Sequence, residues 1–216
     1  MKRFLCKVII AGLLLFSGLD SFSQAHNRKT RWPVGTFHTD NADIYGLSLG
    51  IWTHRLHQRS TNTNGIKFEL LGVGWAVPMA GGSAAESDSS FIEFQNKVVS
   101  ERINGLNLST TGSVCHCLTN GLQAGFIGQS GFQTNGVSVA LMINDMQRSN
   151  GVMLAAFVNG AYQANGLQLS MIGNYSHKMK GVQVGLYNRS SNLTGIQIGL
   201  WNVNQKRKLP LINWSF

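Results

Sequence analysis

From Gly105 onward, apolar and polar residues alternate in short bursts that restart at a glycine: GLNLSTTG, GLQAGFIG, GVSVALMIN, GVMLAAFVN, GLQLSMIGN, GVQVGLYN and GIQIGLWN. The opening glycines (Gly105, Gly121, Gly136, Gly151, Gly166, Gly181 and Gly195) follow one another at steps of 16, 15, 15, 15, 15 and 14 residues. Each burst sets aliphatic residues two apart, as in Val182 and Val184 or Ile196 and Ile198, around a polar residue that is often Gln (Gln123, Gln168, Gln183, Gln197). A period of two is that of a strand with one buried face, and β-branched enrichment agrees with it. The expectation is that the aliphatic stripe points into a shared core.

Asn precedes the glycine in five copies (Asn104, Asn120, Asn135, Asn150, Asn165). Asn-Gly is a strong turn signal because both residues tolerate positive φ. Each repeat therefore reads as a turn, a strand of about seven residues and a polar return. Several strand phrases end in Asn (Asn144, Asn159, Asn174, Asn188, Asn202). Two readings of these stand side by side: a hydrogen-bonded amide ladder between stacked copies, or a preference of Asn for the turn that follows.

Upstream, YGLSLGIWTH from Tyr45 and NGIKFELLGVGW from Asn64 read as diverged copies, and VPMAGGSAAESDSS as a small-residue loop. Residues 26–43 are polar, either a cap or a loose segment. Residues 91–102 fit neither strand nor helix well. The chain divides into a leader at 1–23, diverged repeats and loops at 24–104, and a regular array with a closing strand at 105–216. The fold class is all-β. An even step favours a parallel β-solenoid, in which every coil is equivalent. The alternative is an antiparallel meander or an outer-membrane β-barrel. In its favour, LPLINWSF alternates apolar residues up to a final Phe216 like a barrel's closing strand, and the repeats would face Val and Leu to lipid with Gln inward.

The first residues change where the chain is expected to go. Lys2, Arg3 and Lys7 precede an apolar run from Val8 to Phe16 and then small and polar residues, the pattern of a secretory signal peptide. The formal charge of the whole chain is +9. Cleavage of 1–23 takes three basic residues and one acidic residue with it, which leaves +7. An exported basic chain meets anionic lipid or glycan rather than nucleic acid. The densest cluster, Lys206, Arg207 and Lys208 in QKRKLP, is a candidate contact for such groups. The same cluster also reads as a solvated turn that guards a sheet edge. Cys115 and Cys117 lie two apart, too far for an easy bridge if the chain between them is extended and too closely spaced for a structural zinc site. They are expected to be free or otherwise partnered structural cysteines, with an unusual disulfide or a metal site as the alternatives.

The repeats GVQVGLYN and GIQIGLWN, with their Gly, Gln and closing Asn, resemble the short repeats of exported bacterial surface-repeat proteins of Bacteroidetes and spirochaetes. The ending GLWNVNQKRKLPLINW is similar to the C-terminal ends of the Bacteroidetes members, and the resemblance runs from Gly46 to Phe216. It implies export to the periplasm, outer membrane or surface, and it transfers no catalytic residue.

Chemistry is scarce. From Gly105 to the C-terminus, Asp145 is the single acidic residue, too few for paired-carboxylate catalysis or an acidic calcium site. The remaining ingredients lie upstream: Asp40, Asp43, Glu69, Glu86, Asp88, Glu93 and Glu101 with His38, His54 and His57. On a strand, His54 and His57 point to opposite faces and make no metal pair. No nucleophile, phosphate-loop or dinucleotide motif occurs. The expectation is a non-enzymatic envelope scaffold with no catalytic, cofactor or metal site, which presents a flat Gln- and Asn-rich face to a partner.

Overall fold

The computed structural model describes residues 28–53, 59–79 and 88–216. The expected leader, Glu86 and the pair His54 and His57 lie outside them. The fold is a parallel β-solenoid of about ten turns, not a barrel. Its long path comprises β3 (Ala42–Gly50), β4 (Thr61–Glu69), β5 (Glu101–Ser109), β6 (Cys117–Gly125), β7 (Gly128–Ala140), β8 (Ile143–Ala155), β9 (Val158–Ser170), β10 (Gly173–Val184) and β11 (Tyr187–Val203). Each pairs in parallel with the next. The short β1 (Lys29–Arg31) and β2 (Val34–Thr36) lie on β3, so part of the polar N-terminal segment caps the first coil. β12 (Lys208–Ser215) runs antiparallel to β11. It closes no barrel: four residues, 204–207, suffice to reverse the chain, whereas another parallel strand needs a full return coil.

Register is carried by the glycines. Gly46, Gly65, Gly105, Gly121, Gly136, Gly151, Gly166, Gly181 and Gly195 stand in one column, so the two diverged copies belong to the same stack. Gly151 shows why no side chain fits: its φ is +130°, and a Cβ there would stand 2.1 Å from the carbonyl oxygen of Gly136. In the regular copies the Asn-Gly pair is therefore not the turn ahead of each strand that the sequence suggests. The structure has instead a bend inside a continuous strand, with the ladder running through it on both sides.

The polarity of the coils reverses the expectation from the alternating pattern. Two residues beyond each glycine of the column stand Ser48, Lys67, Asn107, Gln123, Ser138, Met153, Gln168, Gln183 and Gln197, each 3% exposed or less. The aliphatic residues on either side of them point outward: Ile198 is 44% exposed beside Gln197 at 0%. A 15-residue coil is narrow, and a side-chain amide inside it bonds the coils above and below, whereas an aliphatic group there satisfies nothing. One apolar cluster of the interior is a plug of Met146, Met153, Ala161, Ala164, Met179 and Leu193.

Residues 91–102, which fitted neither element, begin in a helix, α1 (Asp88–Asn96), and end at the start of β5. The helix packs across the outside of the wall that precedes each Asn-Gly bend. Phe91 stacks on Tyr162 at 4.2 Å, and Tyr162 stacks on His177 at 4.7 Å. His116 lies between Phe94 at 6.1 Å and Phe132 at 4.5 Å.

Candidate functional site

Three features of the solenoid offer candidate sites: the amide ladders, the buried charges and the outward aliphatic wall. The closing asparagines do form a ladder. Nδ2 of Asn144 donates to Oδ1 of Asn159 (3.0 Å), Asn159 to Asn174 (3.0 Å), Asn174 to Asn188 (2.8 Å) and Asn188 to Asn202 (2.8 Å). Each also donates across its own coil to a backbone carbonyl, as Asn159 does to Leu169 at 2.9 Å. A parallel Gln ladder runs from Gln197 to Gln183 to Gln168, both steps at 2.7 Å. A third ladder, at the bend, joins Asn165, Asn150, Asn135, Asn120, Asn104 and Asn64 at 2.7 to 2.8 Å. The first two ladders are sealed inside. The expected Gln- and Asn-rich presenting face is thus corrected: Gln168, Gln183 and Gln197 are wholly buried.

The N-terminal carboxylates are dispersed into structural pairings. Lys67, fully buried, donates to Glu101 and to Thr53 (3.0 Å) and lies 4.4 Å from the Phe37 ring. Arg59 reaches Glu101 at 3.5 Å, and Glu69 accepts from Ser113 at 2.6 Å and from the Thr53 amide. Asp43 is held by Arg28 (2.8 Å) and Asn62 (2.7 Å), chiefly the Arg28 hydrogen bond lowering its pKa. Asp88 accepts from Lys178 (2.8 Å) and Tyr162, and the Lys178 bond is the main cause of its lowered pKa. Burial, then the bond to Asp88, raises the Tyr162 hydroxyl. Glu93 pairs with Lys97 at 3.0 Å, while Asp40 is exposed. His38 accepts from the Ile51 amide at 3.2 Å and sits 3.3 Å from Arg59. Among the described residues no three His, Cys, Asp or Glu side chains gather in a way that would hold a metal ion.

Cys115 and Cys117 are joined by a disulfide, contrary to the expectation for an extended chain. The backbone bends between them before β6 begins, which brings their Cα atoms to 5.2 Å, within bridging range. The bridge packs on Ile103 inside the coil. Of the five Asn-x-Ser/Thr triplets, Asn107, Asn174, Asn188 and Asn213 are fully buried and present no acceptor.

Among the described residues, what remains outward and without a packing partner is the wall that follows the glycines. Its first column comprises Leu47, Ile66, Leu106, Leu122, Val137, Val152, Leu167, Val182 and Ile196. Its second comprises Leu49, Phe68, Leu108, Ala124, Val139, Leu154, Leu169, Val184 and Ile198. Neither column contains a charged or even a polar side chain. Ile212 and Trp214 of β12, opposite Ile198 and Ile196, extend it. Phe126, Leu141, Met171, Leu186 and Leu200 project along the next corner. Where Ala124 and Ala156 interrupt the larger groups, a shallow trough of about 460 Å³ opens beside Phe68, Leu108 and Val139. At a strand spacing of about 4.8 Å, nine strands give a face about 38 Å long. With five residues per coil at about 3.3 Å each, it covers roughly 600 Å² before side-chain relief. That is the upper end of apolar patches on ordinary monomers. All five tryptophans are exposed, by 45 to 78%. Arg207 stacks over Trp214 at 4.3 Å, at the face's C-terminal margin.

Comparison with family models, with curated proteins and with solved structures finds no match.

Proposed function

We propose that this protein is an exported, non-enzymatic scaffold of the cell envelope that docks through its aliphatic wall. The observation that carries this reading is the pair of outward columns from β3 to β11, which hold no charge while the polar groups of the same strands are spent on internal ladders. An apolar face of this size exposed to water is costly, and such faces mark interaction surfaces. The basic, apolar leader sequence and the resemblance to exported surface-repeat proteins support the location. The scarcity of carboxylates in the array, and the closure of Glu69 and Glu101 inside the coils, support a role without turnover.

The test is fractionation of expressing cells. The unaltered protein is expected in the envelope fraction, and Leu169→Asp combined with Ile198→Asp, both outward positions, is expected to release a folded protein into the soluble fraction. If both proteins fractionate alike, the wall is not what docks.

A further inference from the structure

The geometry points to a phospholipid bilayer surface with anionic headgroups as what the aliphatic wall docks on. This inference rests on the docking reading above and names its partner. A sheet face can lie in the interfacial zone only if its backbone groups are already bonded, and here successive strands bond each other without a gap from β3 to β12. The chain lies on the membrane and does not cross it. Side chains that enter such a zone are aliphatic with tryptophan at the headgroup level, and this face carries Trp214 on β12 and Trp201 at the adjoining corner. Charge chooses between a lipid surface and a second copy of the chain. With a formal charge of +7 once the expected leader is gone, two copies repel as they approach, whereas an anionic surface attracts. Arg207 stands at the margin of the wall, on the Trp214 ring, and Lys206 and Lys208, both exposed, flank it in the chain. Membrane affinity grows with apolar area and with such flanking cations together.

The exported protein, freed of its expected leader 1–23, is mixed with phosphatidylcholine vesicles, with and without phosphatidylglycerol, and co-sedimentation is measured for the unaltered chain and for variants in the same background. The unaltered chain is expected to sediment with vesicles, more strongly when phosphatidylglycerol is present. Replacing Lys206, Arg207 and Lys208 together by Gln is expected to remove that preference. It should weaken binding to the mixed vesicles by up to roughly 100-fold, since each surface-adjacent cation contributes a factor of about five. Leu169→Asp with Ile198→Asp is expected to abolish sedimentation with either vesicle.

A second readout does not depend on these variants folding. Lipids with brominated acyl chains are expected to quench the tryptophan emission of the unaltered chain, and less of it when Trp201 and Trp214 are both replaced by Phe. No sedimentation together with no quenching overturns the bilayer inference. If light scattering then shows a dimer that the double Asp variant dissolves, a second copy is the partner, and the docking reading survives without the membrane. Should the Asp variants also leave cell fractionation unchanged, both readings fail.

Discussion

The two halves of the solenoid share one backbone and fill it differently. Around β4 and β5 the interior holds Lys67, Glu69, Glu101 and Arg59 in a buried ionic cluster. From β7 to β11 the inward positions are Asn, Gln, Ser and Thr with the methionine and alanine plug. The regular half repeats Asn from Asn144 to Asn202 and Gln from Gln168 to Gln197, so along these columns a single geometry is copied from coil to coil and each amide bonds its neighbours. The diverged half stacks in the same register but changes residue type from coil to coil, as from Ser48 to Lys67 to Asn107, and it satisfies the interior with individually matched charges instead. Copying tolerates the loss of a rung locally. Matching concentrates its risk in a few residues.

The largest effect that separates the halves is therefore expected at Lys67. Lys67→Met leaves Glu101 with one cationic partner in a sealed interior and should cost about 3 to 5 kcal/mol in denaturant unfolding. The double change Lys67→Met with Glu101→Leu is expected to recover most of the loss, since apolar groups of similar size often replace a buried ion pair without penalty. If the single and double variants are equally damaged, the cluster is not held by charge matching.

Next comes the shared backbone. Gly151→Ala meets both a positive φ and the Gly136 carbonyl, and about 3 kcal/mol or more of destabilisation is expected. Gly160→Ala, where a Cβ would sit 3.3 Å from the Asp145 carboxylate oxygen, should stay near neutral by comparison. Comparable losses at the two positions would mean that the glycine column does not set the register.

Smaller again is the contrast between the sealed and the bend ladders. Asn159→Ala removes donors to the Leu169 carbonyl and to Asn174 and should cost about 2 kcal/mol, because buried acceptors are left unmade. Asn150→Ala, on the ladder at the bend where water substitutes, should cost less than about 1 kcal/mol. Equal values would mean that burial does not distinguish the two ladders.

The smallest expected effect is pH dependence. Burial chiefly lowers the pKa of His116, which packs under α1. A histidine with a lowered folded pKa is protonated first in the unfolded chain, so stability falls as pH drops below about 6.5. His116→Gln should flatten that acid slope in thermal melts at pH 5 and 7.5. The sealed Asn and Gln ladders hold no titratable group and should add nothing to it.

Much of the fold was legible from the step between glycines, because equal spacing requires equivalent coils. The glycine column and the diverged copies at Gly46 and Gly65 followed from it, while the closing asparagines stood open between a ladder and a turn preference until the structure showed the ladder. The inside and the outside did not. A period of two divides a strand into two faces but carries no sign, and the assumption that aliphatic means inward supplied the wrong one. Gln at the same place in successive copies was the signal that reads correctly: a column of identical amides is worth most where water is excluded. The Cys115–Cys117 bridge was missed because the chain was taken as extended there. Helix α1 was missed because its apolar face answers to Tyr162 and His116, distant in sequence, and not to its own periodicity.

The inverted polarity is the central claim, and adjacent cysteine substitutions test it most directly. Gln197→Cys and Ile198→Cys are each exposed to a maleimide under native, non-reducing conditions, and the labelling rates are compared with those in denaturant. The account predicts rapid labelling at position 198 and strong protection at position 197, released only on unfolding. Protection at 198 with rapid labelling at 197 would place the aliphatic stripe inside and contradict it.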